Sequence, residues 1–304
     1  MDAWFVPAKY TALARAFRPN WEKASAWVGE HRQLLTWTTS ASALLVLAWK
    51  IQGQNVWPVF GESQITQIWA LVLALALAPM NLVLEVIKWQ QLKTAFGVKP
   101  SRWKEAWMEV SVGQTLALIG PFRWADGAGR LMASTDATMT ARRGTHAYAI
   151  GAAAQGWATW TGAIPALLLV DWPLAAALVG LGSCAVGWVL SRQPGGTSVM
   201  ALSLLRFVVF ALQYLGMLCA WNAIEPHRLW VDGYPRIAAV WCAVNTIPWP
   251  AELGVRECVA TWVFVSHLPE VVMATFALWM LNRVGFALVG LCHWPKLWRP
   301  RSKS

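Results

Sequence analysis

The chain has 304 residues, of which 57% are hydrophobic and only 13% charged, and its formal net charge is +10. Soluble domains carry about 25% charged residues, so this composition excludes an ordinary soluble domain and indicates an all-α, polytopic membrane helix bundle. The excess of Lys and Arg falls in short loops and at both ends, which fits topology and anionic lipid headgroups and argues against nucleic acid as a partner.

Residues 1–33 read as a cytoplasmic basic amphipathic arm. Lys9, Arg15, Arg18, Lys23 and Arg32 sit among Trp4, Phe5, Phe17, Trp21 and Trp27, a mixture that suits a helix lying on an anionic leaflet. A basic tail that only sets topology accounts for the same residues. No apolar core followed by a small-residue cleavage site is present there, so the segment is not read as a signal peptide. Residues 34–294 form the integral membrane unit, and 295–304 a cytoplasmic basic tail.

Within the membrane unit, 34–51 and 65–87 are the first two spans, joined by a loop without Lys or Arg. Lys88, Lys93, Lys99, Arg102 and Lys104 then read as a basic cytoplasmic loop. Residues 106–119 are too short to cross, since a span needs about 20 apolar residues. The following stretch, from Arg123 to Arg143, is basic again, so the chain is expected to turn back as a re-entrant hairpin entered from the cytoplasm. Further spans are expected over 145–170, 174–191 and 199–224. Residues 236–267 are two short apolar runs broken at Pro248-Trp249-Pro250, expected as a second hairpin entered from the opposite face. A last span over 270–293 ends before Lys296, Arg299, Arg301 and Lys303, which places it inside. The expectation is therefore six full spans plus two oppositely inserted re-entrant hairpins, the pattern of an inverted repeat, with both termini cytoplasmic.

Charge and broken backbone at membrane depth are confined to bundle interiors and wet cavities, so the two hairpins hold the candidate site. In the first, Arg123, Asp126 and Arg130 lie within eight residues, and a helix beginning near Trp124 makes Asp126 and Arg130 an i,i+4 pair. Gly127 and Gly129 weaken that helix but let other groups approach closely. In the second, Glu252, Arg256 and Glu257 follow Pro250, and a helix starting near that proline pairs Glu252 with Arg256. The functional reading is a set of guanidinium groups cradling a phosphate. The alternatives are topology-setting Arg residues in the first hairpin and an ion pair stapling two helices in the second. Glu85, Lys88, Gln114, Gln155, Arg206, Gln213 and Asn245 are further polar residues in apolar segments. Glu85 and Lys88 are expected to pair locally at a span end. Arg206 either snorkels to the interface or forms a cavity wall, with Gln213 two turns along the same face.

The five Cys residues form no C-x-x-C pair and read as small buried hydrophobes; the five His residues are scattered and have no metal-ligand spacing. No glycine-rich phosphate loop, nucleophile elbow or zinc motif is present, so no cofactor and no soluble enzyme chemistry is expected. A membrane-embedded lipid- or glycan-modifying enzyme using Asp126, Glu252 or Glu257 as base stays open as an alternative, and so does a non-transporting membrane partner whose cavity is structural.

Three stretches resemble the lysylphosphatidylglycerol synthase transmembrane family, also described as flippase-like. Pro121, Arg123, Asp126, Gly129 and Arg130 are similar to its P-x-R-x-G-[DE]-x-x-x-R element, with Ala125 where the family often has Gly. Leu202 to Tyr214, including Arg206 and Gln213, is similar to its LSLLRY-x-x-F-x-x-Q-[FY] helix. Ile247-Pro248, followed by Ala251 to Arg256, is similar to its I-P-to-E-L-G-[IV]-R element, a residue or two short, with Glu257 where the closest subgroup favours Gly. The resemblance implies the translocating half only, without the soluble aminoacyl-transferase domain. It implies movement of an anionic lipid between leaflets of a bacterial inner membrane, with Arg123, Asp126, Arg130, Arg206, Gln213, Glu252, Arg256 and Glu257 at the headgroup. Enzymes of lipid or glycan synthesis would be partners.

Overall fold

A computed structural model describes residues 38, 45, 64–99, 101–119, 124–136, 138–169, 172–246 and 254–293. Among these, 85% are helical and none lies in a strand. The expected arm, nearly all of the expected first span, Arg123, Glu252 and the C-terminal tail lie outside the described residues.

In chain order the helices are α1 (Ile68–Ala95), α2 (Trp103–Ile119), α3 (Trp124–Ala133), α4 (Ala141–Leu169), α5 (Pro173–Ser191) and α6 (Gly196–Ala220). A short 3-10 turn and a π turn lead into α7 (Tyr234–Thr246), α8 (Val255–Val263) and α9 (Leu268–Trp279). A second π turn, Met280–Val284, joins α9 to α10 (Gly285–Leu291). Four stretches are long and apolar enough to cross a membrane: α1, α5, α6 and the run from α9 through α10. Helix α4 has the length but not the apolarity, because Gly, Thr, Gln and Trp replace aliphatic residues along it.

The most apolar helices occupy different places. In α5 only 17% of the apolar window is buried, and Leu174, Leu178, Leu181 and Trp188 face outward. Such a continuous apolar exterior suits lipid rather than water. In α6 the buried share is 61%, so this helix is the axis of the bundle. It packs extensively along α1, where a Cβ on Gly216 would come within 3.0 Å of the Ala70 carbonyl. Helices approach that closely where small residues let their backbones meet. One core surrounds Trp241, Phe207, Tyr214 and Leu218; another lies between α1, α2 and α4 around Trp89, Leu92 and Val110.

Helices α2 and α3 pack on each other, and so do α7 and α8, within the two stretches where hairpins were expected. A Cβ on Gly129 would lie 2.8 Å from the Gly113 Cα, so this glycine pair sets the spacing of the first hairpin. Helix α8 begins at Val255 and not near Pro250. Its N-cap is Gly254, at φ +80°, a conformation that glycine adopts without strain.

The basic loop expected after residue 87 is corrected. Helix α1 continues to Ala95, and Lys88 and Lys93 are both buried inside the bundle. Each is held there by a carboxylate. Lys93 Nζ donates to Glu109 Oε2 at 2.5 Å and to Ser101 Oγ at 2.5 Å, and Trp89 Nε1 donates to the same Glu109 oxygen at 2.6 Å. Removing one partner of a buried ion pair leaves the other charge uncompensated. Lys93→Met is therefore expected to destabilise the protein by about 3–5 kcal/mol, measured by thermal or chemical unfolding in detergent. Adding Glu109→Gln, which keeps an acceptor for Trp89, is expected to recover most of that loss.

Candidate functional site

Helices α3 and α8 meet at one cavity. Asp126 and Arg130 of α3 and Arg256 of α8 line one cavity of about 240 Å³, together with Glu85 and Lys88 of α1 and Arg206 of α6. Arg283, from the π turn after α9, Gln155 of α4, Gln114 of α2, Asn245 of α7 and Asn282 add to its polar wall. These residues are spread over some two hundred positions of the chain, and only the folded bundle brings them together.

Glu85 is the hub. Its Oε1 accepts from Arg130 Nη2 at 2.9 Å, and its Oε2 lies 2.7 Å from Lys88 Nζ. The same Oε2 accepts from Arg206 Nη1. One buried carboxylate thus ties cations from α1, α3 and α6. Sequence reasoning paired Glu85 with Lys88 correctly but placed the pair at a span end, whereas both are buried in the cavity wall. The signal for this was the i,i+3 spacing alone; the contacts to Arg130 and Arg206 cross 45 and 121 positions.

The Asp126–Arg130 pair forms as the spacing predicts. Arg130 Nε donates to Asp126 Oδ1 and Nη2 to Oδ2, both at 2.8 Å, a two-pronged geometry that fixes the guanidinium plane. That plane also lies 5.2 Å from the Trp89 ring and 5.7 Å from the Tyr148 ring, within range of cation–π attraction. Gly127 permits the second contact, because a Cβ there would meet the Tyr148 ring at 2.9 Å.

Arg206 is a cavity wall and does not snorkel. Its Nε donates to Asn81 Oδ1 at 2.6 Å and its Nη1 to Gln155 Oε1 at 3.3 Å. Behind it runs a ladder of buried amides. Asn81 Nδ2 donates to Asn282 Oδ1 at 3.3 Å, Asn282 Nδ2 to Gln213 Oε1 at 3.0 Å, and Gln213 Nε2 to the Ala74 carbonyl at 3.1 Å. Gln213 is accordingly a support in this ladder and not a cavity residue. Glu257 is likewise set back: its Oε2 accepts the Gly254 N–H at 3.0 Å and caps α8, with Arg256 beside it in the first turn.

Asn282 and Arg283 are neighbours in the π turn and both line the cavity; Asn282 also belongs to the amide ladder, and Arg283 Nη1 donates to Gln114 Oε1 at 2.9 Å. Such π turns inside helices are common at functional sites. Phe207, Phe210 and Trp241 give the cavity an apolar side. The Trp241 ring meets Phe210 edge to face at 4.6 Å and Phe207 at 5.4 Å. The cavity is therefore amphipathic, cationic on one side and aromatic on the other.

Outside the apolar helices, the Thr138 amide and hydroxyl both donate to Asp136 and hold its carboxyl below the usual range, closing the turn between α3 and α4. Among the described residues no group of His, Cys, Asp and Glu is placed to hold a metal. No protein-family model, curated protein or solved structure matches the chain.

Replacing Glu85 by Gln would leave Lys88, Arg130 and Arg206 facing one another without their shared anion. A loss of about 3–5 kcal/mol is expected from unfolding in detergent. Adding Lys88→Gln is expected to restore part of it, giving a coupling of about 0.5–3 kcal/mol in a double-mutant cycle.

Proposed function

We propose that this protein is a flippase-like transporter that moves an anionic lipid between the leaflets of a bacterial inner membrane. The observation that carries the reading is the cavity itself. Five cationic side chains and two carboxylates line it, inside a bundle whose outer helices are apolar. A cationic pocket enclosed by lipid-facing helices suits a phosphate-bearing headgroup, and its aromatic side suits the first carbons of the lipid. The likeness of three sequence stretches to the flippase-like family supports the same reading.

In this reading the headgroup enters between the hairpins while the tails stay in the bilayer. Arg206, through its Nη2, and Arg256 are assigned to the phosphate, with Arg123 as a further contact from the first hairpin. Glu85 and Asp126 keep the guanidinium groups oriented and offset the desolvation of buried charge when the cavity is empty. Glu252 is assigned the same task toward Arg256. The two hairpins enter from opposite leaflets, so that each leaflet has access to one charged chamber as the bundle rocks. Both termini lie in the cytoplasm, and the lipid is a phospholipid, a polyprenyl phosphate or a glycolipid delivered by enzymes of lipid or glycan synthesis.

Reconstitution into liposomes with a fluorescent anionic lipid tests this. Wild-type protein is expected to exchange the lipid between leaflets, and Arg206→Gln to lower the rate at least about tenfold, which corresponds to about 1.4 kcal/mol of barrier. Equal rates for wild type, variant and protein-free vesicles would contradict transport. Recovery of a chemically altered lipid would identify a membrane enzyme instead.

A further inference from the structure

Helix α1 buries two lysines, and their ammonium groups are provided for differently. Lys93 donates to Glu109 Oε2 and Ser101 Oγ, lies beside the Trp89 ring, and does not line the cavity. Lys88 is 2% exposed and lines the cavity, yet among the described residues its Nζ has one acceptor, Glu85 Oε2 at 2.7 Å. An ammonium carries three donors, and buried donors are normally satisfied. Two N–H groups of Lys88 therefore call for an acceptor that the described part of the bundle does not supply.

Arg206 shows the same shortage beside it. Its Nε donates to Asn81 and its Nη1 to Gln155 and to Glu85 Oε2, whereas Nη2 donates to no described residue. Lys88 and Arg206 grip the same carboxylate oxygen, so one incoming oxyanion can reach both. Arg130 differs. Two bonds to Asp126, a third to Glu85 Oε1 and the rings of Trp89 and Tyr148 hold it as framework.

A guanidinium grips phosphate best through two parallel N–H···O bonds. For Arg206 one of these is the free Nη2, and the second must come from Nε or Nη1. The acceptor on Nε, Asn81, is fixed by the amide ladder. The acceptors on Nη1 are Gln155, at 3.3 Å, and Glu85 Oε2, which has the same sign of charge as a phosphate. Glu85 is thus the partner that gives way, and its Oε1 keeps it on Arg130.

We infer that Lys88 and Arg206 form one oxyanion clamp, that Glu85 Oε2 occupies it at rest, and that the ligand's phosphate binds by displacing this internal carboxylate. The inference rests on the headgroup-binding reading above and adds to it a contact residue, Lys88, and an internal competitor, Glu85. A competitor built into the site weakens binding and eases release, as a pathway needs sites that a ligand can leave.

Binding of a fluorescent phosphatidylglycerol to the full-length protein in uncharged detergent micelles tests this. Lys88→Gln is expected to raise Kd at least about tenfold, the loss of one charge-assisted contact in a shielded site. Lys93→Met with Glu109→Gln, which removes the other buried lysine of α1, is expected to leave Kd unchanged. Glu85→Gln is expected to act in the opposite direction and lower Kd about threefold or more, because the like-charged competitor is gone. Where that variant folds too poorly to assay, the same substitution in the Lys88→Gln background, which leaves one cation fewer unpaired, is expected to keep the sign. An unchanged Kd in Lys88→Gln would overturn the clamp and leave headgroup binding through Arg206 standing. A Kd that rises or does not move on Glu85→Gln would make Glu85 a support and overturn the displacement. Competition by inorganic phosphate as strong as that by unlabelled lipid would assign the clamp to free phosphate and overturn the lipid source. Absence of phosphatidylglycerol binding by the wild type would overturn both the clamp and the headgroup reading.

Discussion

One carboxylate organises this molecule. Glu85 is buried near the middle of the bundle and shares its two oxygens among Lys88, Arg130 and Arg206, which arrive from three helices. Each of those cations would be costly to bury alone. Together with Asp126, Glu85 makes their burial tolerable and in doing so fixes how α1, α3 and α6 sit relative to one another. Stability is not the obvious purpose of such an arrangement, since well-packed apolar residues of similar volume are often as stabilising as a buried ion network. What the network provides is a set of oriented guanidinium groups around an open space.

The rest of the fold serves that arrangement through close packing. Glycine at 113 and 129 lets the first hairpin close, and glycine at 127 lets the Tyr148 ring lie against α3 and under Arg130. The Asn81–Asn282–Gln213 amide ladder ties Arg206 back to the bundle axis, so that its guanidinium is held from behind while one side stays open to the cavity. The π turn at Met280–Val284 supplies both a member of that ladder and Arg283 from adjacent positions. Packing, amide hydrogen bonds and a local change of helical twist therefore converge on one result, a cationic chamber inside an apolar exterior.

Much of this was legible in the residues and some was not. The all-helical class followed from composition, and four of the expected spans coincide with helices long and apolar enough to cross a membrane. The Asp126–Arg130 pair followed from its i,i+4 spacing, and the cavity position of Arg206 was one of two readings its place in an apolar helix allowed. Lys88 and Lys93 misled: Lys88 was paired with Glu85 but placed at a span end, and Lys93 reads as part of a basic loop when Glu109 is not recognised as its partner. Arg283 and Asn282 were missed although both are polar residues inside the apolar span expected over 270–293, the same signal that singled out Glu85 and Arg206. Gln213 and Glu257 belong to the frame behind the site: one bonds the amide ladder and the other caps α8.

The central claim is that the charged chamber between the two hairpins receives a lipid headgroup. A structure of the protein purified in native lipid tests it most directly. The account predicts density for a phosphate within hydrogen-bonding distance of Arg206 and Arg256, with its hydrocarbon leaving past Phe207 and Trp241 towards the bilayer. A chamber that holds only water, with all lipid density confined to the outer faces of α1 and α5, would contradict it.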